Sequence, residues 1–527
     1  MDSQLRYLIR TFSLSILFSL SFADIPLEIH QVCNATRFPQ ICETSLTPQN
    51  LSQNPNPIEI VQSSIWVSTQ TLKTAQKMVQ TIIDTSSSNQ NRSTSAQNCL
   101  QVLKYSEYRL SSTVVVLPRG AIKDARAWVS AALSYESGCI GGFTKFVNGS
   151  QEVNVTVAFL ETVVEITSNT LSFLVNYDKF GNETALWRVP MTERDGVWED
   201  GKASEGTMRG VLVDLAVNVT VCKGRAECYK TVQSAVDAAP DNYIDGKGRF
   251  VIRIEEGVYE ETVRVPLEKK NVVFIGDGMG RTAITGSLSV GVDGINTYNT
   301  ATVGVVGDGF MARDITFENT AGANANQAVA FRSESDLSIV ENCEFLGNQD
   351  TLYAHSLRQY YNSCRIVGNV DFIFGFSTTV FENSQILVRP RVVSPEKGER
   401  NVVTAHGRSD PGMSTGFVFR NCVINGTDEY MALYYSKPKV HRNYLGRPWK
   451  VYSRTVYINC FLGALVSSDG WMPWDGGLST LYYGEFQSYG PGANVTARVS
   501  WSSQVPAQHV NSYSAENFIQ GDQWIPS

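Results

Sequence analysis

Two hydrophobic periods divide the chain. From Ile58 to Ile83, apolar side chains recur at Val61, Ile65, Leu72, Ala75, Val79 and Ile82, the three-and-four spacing of one helix face. Similar helical stretches start near Cys99, Ile122 and Val155, and polar breaks such as "DTSSSNQNRSTS" (Asp84 to Ser95) separate them. The pattern predicts a helical bundle from about Ile25 to Tyr177. Between about Lys179 and Asn218 the chain becomes Gly-rich, charged and aperiodic, as in "ERDGVWEDGKASEGTMRG" (Glu193 to Gly210), and reads as a linker. Beyond it, runs rich in Val, Ile, Phe and Thr, such as "RFVIRI" (Arg249 to Ile254) and "NVVFIG" (Asn271 to Gly276), are broken by Gly, Asp and Asn. These are strands joined by turns.

One pattern recurs among the strands: "CEFLG" at Cys343, "CRIVG" at Cys364, "CVING" at Cys422 and the shortened "CFLG" at Cys460. Repetition marks stacked units. The first two copies lie 364−343 = 21 residues apart, about one coil of a parallel β-helix. Equivalent residues then sit on neighbouring rungs ~4.8 Å apart. Disulfide-linked Cα atoms usually lie ~4.4–6.8 Å apart, so this stacking predicts a Cys343–Cys364 bridge. A β-sandwich with accidental repeats is the alternative.

The same step relates two carboxylates. "GNQDTLY" (Gly347 to Tyr353) and "GNVDFIFG" (Gly368 to Gly375) place Asp350 and Asp371 at 371−350 = 21 residues apart. On successive coils they project side by side, and like charges so close push their pKa values apart, leaving one acid and one base or nucleophile. Asp371 also stands against Phe372, Ile373 and Phe374, where a carboxylate loses solvation and needs either a partner or a chemical task. The competing reading is a ladder of turn caps or a calcium site. Gln349, next to Asp350, and Gln327, opening "QAVAF", count against it: calcium favours more carboxylates, whereas amide donors suit an oxyanion. In "YLGRPW" (Tyr444 to Trp449), Arg447 offers a fork for a carboxylate and Trp449 a platform for a sugar face, although both residue types also serve cores.

Length and composition narrow the class. At 527 residues, 43% hydrophobic and 18% charged, the chain is globular and long enough for at least two domains. A net charge of -7 provides no general attraction to nucleic acid or anionic membrane. Arg6 and Arg10 precede an apolar stretch, Phe12 to Phe22, that ends at Ala23; this is a secretory signal, with an uncleaved anchor as the alternative. Ten cysteines without a Cys-x-x-Cys pair, and five scattered histidines, suit disulfides in an oxidising compartment rather than a metal site. The spacing in "CNATRFPQIC" suggests a local Cys33–Cys42 bridge, leaving Cys99 and Cys139 to join two helices. Sequons at Asn34, Asn91, Asn148, Asn154, Asn182, Asn218, Asn425 and Asn494 fit a secreted glycoprotein.

Taken together, "GVYEE" (Gly257 to Glu261), "QAVAF", "GNQDTLY", "DFIFG" and "LGRPW" resemble, in order and spacing, the plant pectin methylesterases, or pectinesterases, that carry an inhibitor-like N-terminal region. The helical part, with "CNATRFPQIC", resembles the four-helix inhibitor domain of that family. The resemblance implies a signal peptide over 1–23, an inhibitor-like bundle over 24–180, a linker over 181–218 and a right-handed parallel β-helix over 219–527. It implies hydrolysis of the methyl esters of pectin galacturonate, without cofactor or metal, in the plant cell wall. By the same resemblance Asp371 is the nucleophile, Asp350 the general acid and base, Gln327 and Gln349 the oxyanion donors, and Arg447 the partner of Asp371. Thr297, Tyr298, Gln327, Arg447 and Trp449 would contact the saccharide. Implied partners are methyl-esterified homogalacturonan and separate inhibitor proteins, with no nucleic acid and no membrane after signal cleavage.

The chain also departs from the family. Asn348 stands where an aromatic residue is usual and Tyr298 where Phe is common, so both are expected to alter substrate contacts. His406 replaces a usual Gln and reads as structural, since the acid-base roles are filled. Cys222 and Cys228 suggest an added local disulfide, and Cys422 with Cys460 a further bridge between coils. No dibasic processing site precedes the strands; "TMRGVLVDL" (Thr207 to Leu215) offers only Arg209. Two alternatives therefore stand: another pectin-active β-helix enzyme, or a latent cell-wall polysaccharide-binding or inhibitory protein whose bundle stays attached.

Overall fold

The computed structural model describes residues 27–526 except 48, 50, 53–54, 145–148, 204–214, 244–247 and 392–398. The signal segment 1–23, Asn148 and Arg209 lie outside these residues. The chain divides into two compact units, Met1–Met191 with Asp410–Ser414, and Thr192–Ser409 with Thr415–Ser527.

The first unit is built on four long helices, Pro57–Asp84, Gln90–Val116, Ile122–Phe143 and Gln151–Phe180, preceded by the short helices Leu27–Cys33 and Pro39–Leu46. The apolar row Val61, Ile65, Leu72, Ala75, Val79 and Ile82 is buried, as its period predicts. Polar breaks become caps: the side chains of Asn56 and Asn89 accept the N–H groups of Glu59 and Arg92, both at 3.0 Å. Each cap satisfies a donor that the first helical turn leaves unpaired. Disulfides Cys33–Cys42 and Cys99–Cys139 are present, with Cα atoms 5.5 and 4.5 Å apart. Gln151–Phe180 is long and apolar enough to cross a membrane, but it buries Leu160, Val163, Leu171, Phe173 and Leu174 inside the unit. Glu136 is also fully buried there and accepts Ser106 Oγ at 2.8 Å.

The second unit is a parallel β-helix whose strands form three sheets of eleven, seven and eight strands among the described residues. Every strand pair in these sheets is parallel, for example Phe331–Ser333 with Leu352–Ala354. Inward side chains such as Phe331, Leu352, Ile373, Phe345, Ile366 and Tyr361 fill one continuous core. Aromatic rings stack from coil to coil within it, with Phe419 4.6 Å from both Phe381 and Tyr457. Successive coils pair Glu344 with Arg365, Arg365 with Gln385, Gln385 with Val423 and Val423 with Phe461. The coil step is therefore 365−344 = 21, then 385−365 = 20, 423−385 = 38 and 461−423 = 38 residues.

This register explains the recurring cysteines. One residue ahead of each of these paired positions, Cys343, Cys364, Ser384, Cys422 and Cys460 form a column of small inward residues, all buried. The residues before them, Asn342, Ser363, Asn383, Asn421 and Asn459, have φ of 49°, 54°, 52°, 52° and 53°. This left-handed turn is most easily adopted by Gly or by a short polar residue such as Asn.

The structure corrects the expected Cys343–Cys364 bridge: both are free thiols, as are Cys422 and Cys460. Side chains stacked on parallel rungs leave in the same direction, so their Cβ atoms stay about as far apart as the rungs, ~4.8 Å. A disulfide needs Cβ atoms at ~3.5–4.5 Å. The thiols turn to main-chain carbonyls instead, Cys343 Sγ to Glu341 O at 3.3 Å and Cys364 Sγ to Asn362 O at 3.4 Å. Cys222 and Cys228 do form a disulfide.

Part of the stretch read as linker is ordered against the β-helix. Glu193 is buried between Arg454, 2.5 Å away, and Arg408, 3.6 Å away. Burial favours its protonated form, but the two guanidinium groups hold its carboxyl below the ordinary value. Trp198 stacks on His509 with ring centroids 4.1 Å apart, and Asn511 Nδ2 donates to the carbonyls of Gly201 and Ala203.

Candidate active site

The site is assembled on the seven-stranded sheet, where Phe331–Ser333, Leu352–Ala354, Val370–Gly375, Glu399–His406 and His441–Pro448 lie side by side. Gln327, Gln349 with Asp350, and Asp371 come from three successive coils. Ala328 N donates to Gln349 O at 3.1 Å, and Asp350 N donates to Val370 O at 3.0 Å. The two aspartates adopt left-handed backbone, φ 65° and 48°, and the strand register shifts between Val370 and Ile373, around Asp371. A bulge of this kind re-aims a side chain that regular pleating would direct elsewhere.

Arg447 Nε donates to Asp371 Oδ1 at 2.8 Å, and Arg447 NH2 bonds Asp371 Oδ2. A two-point pair of this type fixes the carboxylate plane as well as its charge. The guanidinium is itself held over the Trp474 ring, 3.7 Å from its centroid. Both aspartates are buried. Burial pushes the Asp371 carboxyl up, and the bonds and charge of Arg447 oppose the rise without cancelling it. Asp350 is lifted well above the usual carboxylate range, first by burial and then by the charge of Asp371, with Arg447 only partly offsetting it. The pair is thus differentiated: Asp350 tends to keep a proton, and Asp371 is gripped by a cation.

Beside the carboxylates lies an apolar shelf. Phe331, Leu352 and Ile373 point into the core, so their neighbours Arg332, Tyr353 and Phe374 point to the opposite face, in register with Ala405 and Arg447. Tyr353 and Phe374 stack at 4.1 Å, and Phe376 lies 4.6 Å from Trp449. Tyr298, Trp449 and Trp474 pack against this cluster while remaining half-buried. Thr297 precedes Tyr298 in the turn Thr297–Thr300, and Arg332 lies over the Tyr298 ring at 3.2 Å. Gln327 and Gln349 are half-buried.

Two departures acquire definite places. Asn348 is buried, and its Oδ1 accepts Asn369 Nδ2 at 3.2 Å, so its amide serves the coil rather than the shelf. His406 is fully buried; its Nε2 faces Ser377 O at 3.2 Å and its Nδ1 accepts Arg408 N at 3.2 Å. Burial holds it neutral, with its pKa pushed down to about 3, and the two bonds match one neutral tautomer.

The family profile described as "Pectinesterase" matches residues 218–522. The chain belongs to the pectinesterase family. A second profile, "Plant invertase/pectin methylesterase inhibitor", matches residues 28–173. The Arabidopsis thaliana protein named "Probable pectinesterase/pectinesterase inhibitor 64" is 55% identical over 509 residues, 94% of this chain and 84% of that protein. "Pectinesterase 2" of Citrus sinensis is 37% identical over 525 residues, 97% of this chain and 96% of its own length. The solved structure "Pectin methylesterase from Carrot" superimposes with a TM-score of 0.55 at 45% identity, covering 59% of this chain and 96% of its own. The pectinesterase fold here is a carboxylic ester hydrolase scaffold with an inhibitor-like helical unit before it.

Within this pectinesterase framework, sequence reasoning missed Tyr353, Phe374, Phe376 and Trp474. The first two carried a usable signal, since 374−353 = 21 repeats the spacing of the aspartates. Trp474 lies outside the strands, in "WMPWDGG" (Trp471 to Gly477), where no period reveals its partner.

Proposed function

We propose that this chain hydrolyses methyl esters of pectin galacturonate, with Asp371 as nucleophile and Asp350 as acid and base. The observation that carries the reading is the asymmetry of the pair: Asp371 is held at two points by Arg447, while Asp350, one coil away, is driven toward its protonated form. Asp371 attacks the ester carbonyl carbon, and the negative charge that develops on the carbonyl oxygen is taken up by amide N–H groups of Gln327 and Gln349. The carbon–methoxy bond breaks as Asp350 gives its proton to the departing oxygen, releasing methanol and leaving an acyl-Asp371 intermediate. Asp350, now ionised, takes a proton from water as that water attacks the acyl carbon. Cleavage of the acyl–Asp371 bond frees the galacturonic acid carboxyl, which gives its proton to solvent, and restores Asp371 as carboxylate and Asp350 as acid. Thr297, Tyr298 and Trp449 are assigned to saccharide contact; the packing of Tyr298 and Trp449 on the aromatic shelf supports this.

The substrate is methyl-esterified homogalacturonan, and the place of action is the plant cell wall after removal of residues 1–23. The bundle over 24–180, a connecting stretch over 181–218 whose Glu193 to Ala203 part packs on the β-helix, and the catalytic part over 219–527 complete the organisation, and separate inhibitor proteins are further partners. The test is methanol release from methyl-esterified pectin by the full chain, by the portion from Thr192 to Ser527, and by that portion carrying Asp371→Ala. Activity in the parent portion and a loss of ~10³-fold or more in the variant are expected. Equal release by the two would end the nucleophile assignment.

A further inference from the structure

Two residues ahead of each aspartate stands a buried asparagine, Asn348 before Asp350 and Asn369 before Asp371. The column continues: Val370 pairs with Val402, and Asn401 pairs with Asn443, so Asn348, Asn369, Asn401 and Asn443 occupy one position on four successive coils. All four are buried. Asn369 Nδ2 donates to Asn348 Oδ1 at 3.2 Å, and Asn401 Nδ2 donates to Asn443 Oδ1 at 3.0 Å. Between these two pairs comes the register shift that carries Asp371.

Asn369 has a second bond that runs into the bulge itself. Its Oδ1 accepts the N–H of Val370 at 2.8 Å, the residue at which the shift begins, and its own N–H donates to Asn348 O at 3.1 Å. One amide thus ties the start of the bulge that aims Asp371 to the coil that carries Asp350. We propose that Asn369, acting through Asn348, is a positioning residue that sets the placement of Asp371 relative to Asp350. The proposal rests on the catalytic roles given above. Its chemistry is local: a buried amide whose partners are removed is costly to leave unpaired, so the pair resists sliding of one turn over the other. Displacements near 1 Å at reacting groups cost on the order of 10²-fold in rate.

The test compares Asn369→Leu with Asn401→Leu in the full-length protein, on methyl-esterified pectin. Both remove one buried amide from the column, but the side chain of Asn401 is bonded to Asn443, Glu399 and Tyr430, none of which has a catalytic role in the mechanism above. Asn369→Leu is expected to lower kcat by ~10–100-fold with KM nearly unchanged. It should also move the alkaline limb of the kcat profile to lower pH, because a looser pair raises the acid's pKa less. Asn401→Leu is expected to lose thermal stability and keep both kcat and the profile. Asn369→Thr, which retains a hydrogen-bonding oxygen but cannot reach Asn348, should show the same pH shift if the Leu variant fails to fold. Folded Asn369 variants with kcat within ~2-fold of the parent and an unmoved profile would overturn the proposal. Asp350→Asn and Asp371→Asn separate the two levels: if these remain active, the catalytic reading itself has failed; if they are inactive while Asn369 variants are normal, only the positioning role has.

Discussion

Arg447 reaches Asp371 across 76 residues of chain and binds both carboxylate oxygens. The guanidinium is pinned in turn on Trp474, so the carboxylate has one orientation and a fixed countercharge. Lysine can supply the charge but neither the fork nor the flat stacking surface. Arg447→Lys is therefore expected to lower kcat ~10–100-fold at constant folding, with the loss read by steady-state methanol release.

The pH dependence follows from the other carboxyl. Asp350 is lifted by burial and by its neighbour's charge, so it is protonated at low pH and loses its proton as pH rises through its raised value. In the proposed mechanism, donation to methanol is present below that value and lost above it, while ionisation of Asp371 limits activity on the acid side. A bell-shaped kcat profile is expected. Asp350→Asn should abolish its alkaline limb together with most activity, measured across pH with folding checked at each point.

Glu136 makes a separate prediction for the helical unit. Burial raises its carboxyl from 4.5 to about 8. The folded state then binds this proton more tightly than the unfolded chain does, so its stability contribution is complete below pH 4.5 and is lost as pH rises to about 8. The gap corresponds to ~5 kcal/mol against the ionised form. Glu136→Gln keeps the amide-sized side chain without the charge. Thermal unfolding should show a higher Tm for the variant at pH 8 and nearly equal Tm values at pH 4.

Four thiols and three disulfides give a chemical count. Cys343, Cys364, Cys422 and Cys460 are buried and free, and the remaining six cysteines are paired. Alkylation without reductant, followed by mass analysis of peptides, should label none of the four in the native protein and all four after denaturation. A Cys343–Cys364 crosslink under those conditions would restore the bridge that the sequence suggested.

What could be read from sequence depended on regular coils. Asp350 and Asp371 were visible as a pair because one coil of 21 residues separates them, and the helix face from Val61 to Ile82 because its period is that of a helix. Arg447 lies two longer coils beyond Asp371, so spacing alone could not bring it to the carboxylate; the resemblance did. The cysteine bridge was misread for a geometric reason, since rung spacing satisfies the Cα criterion while parallel side chains hold the sulfurs' carbons apart. The amide column escaped notice because its later steps, 32 and 42 residues from Asn369 to Asn401 and Asn443 in turn, do not repeat the first 21.

The unequal coil steps have one more consequence. Between Gly368 and Val370 the chain passes from one sheet to the next through a single residue, whereas the same passage runs from Val388 to Glu399 and, through the helix Asp428–Ser436, from Gly426 to His441 in the longer coils. The added length falls in the passages that flank the seven-stranded sheet, this one and the passage from His406 to Gly416 that leaves the sheet in the first of the two longer coils, while the rungs keep their pairing. Such passages let a coil lengthen at its turns without a slip in the stacking that lines up the two aspartates.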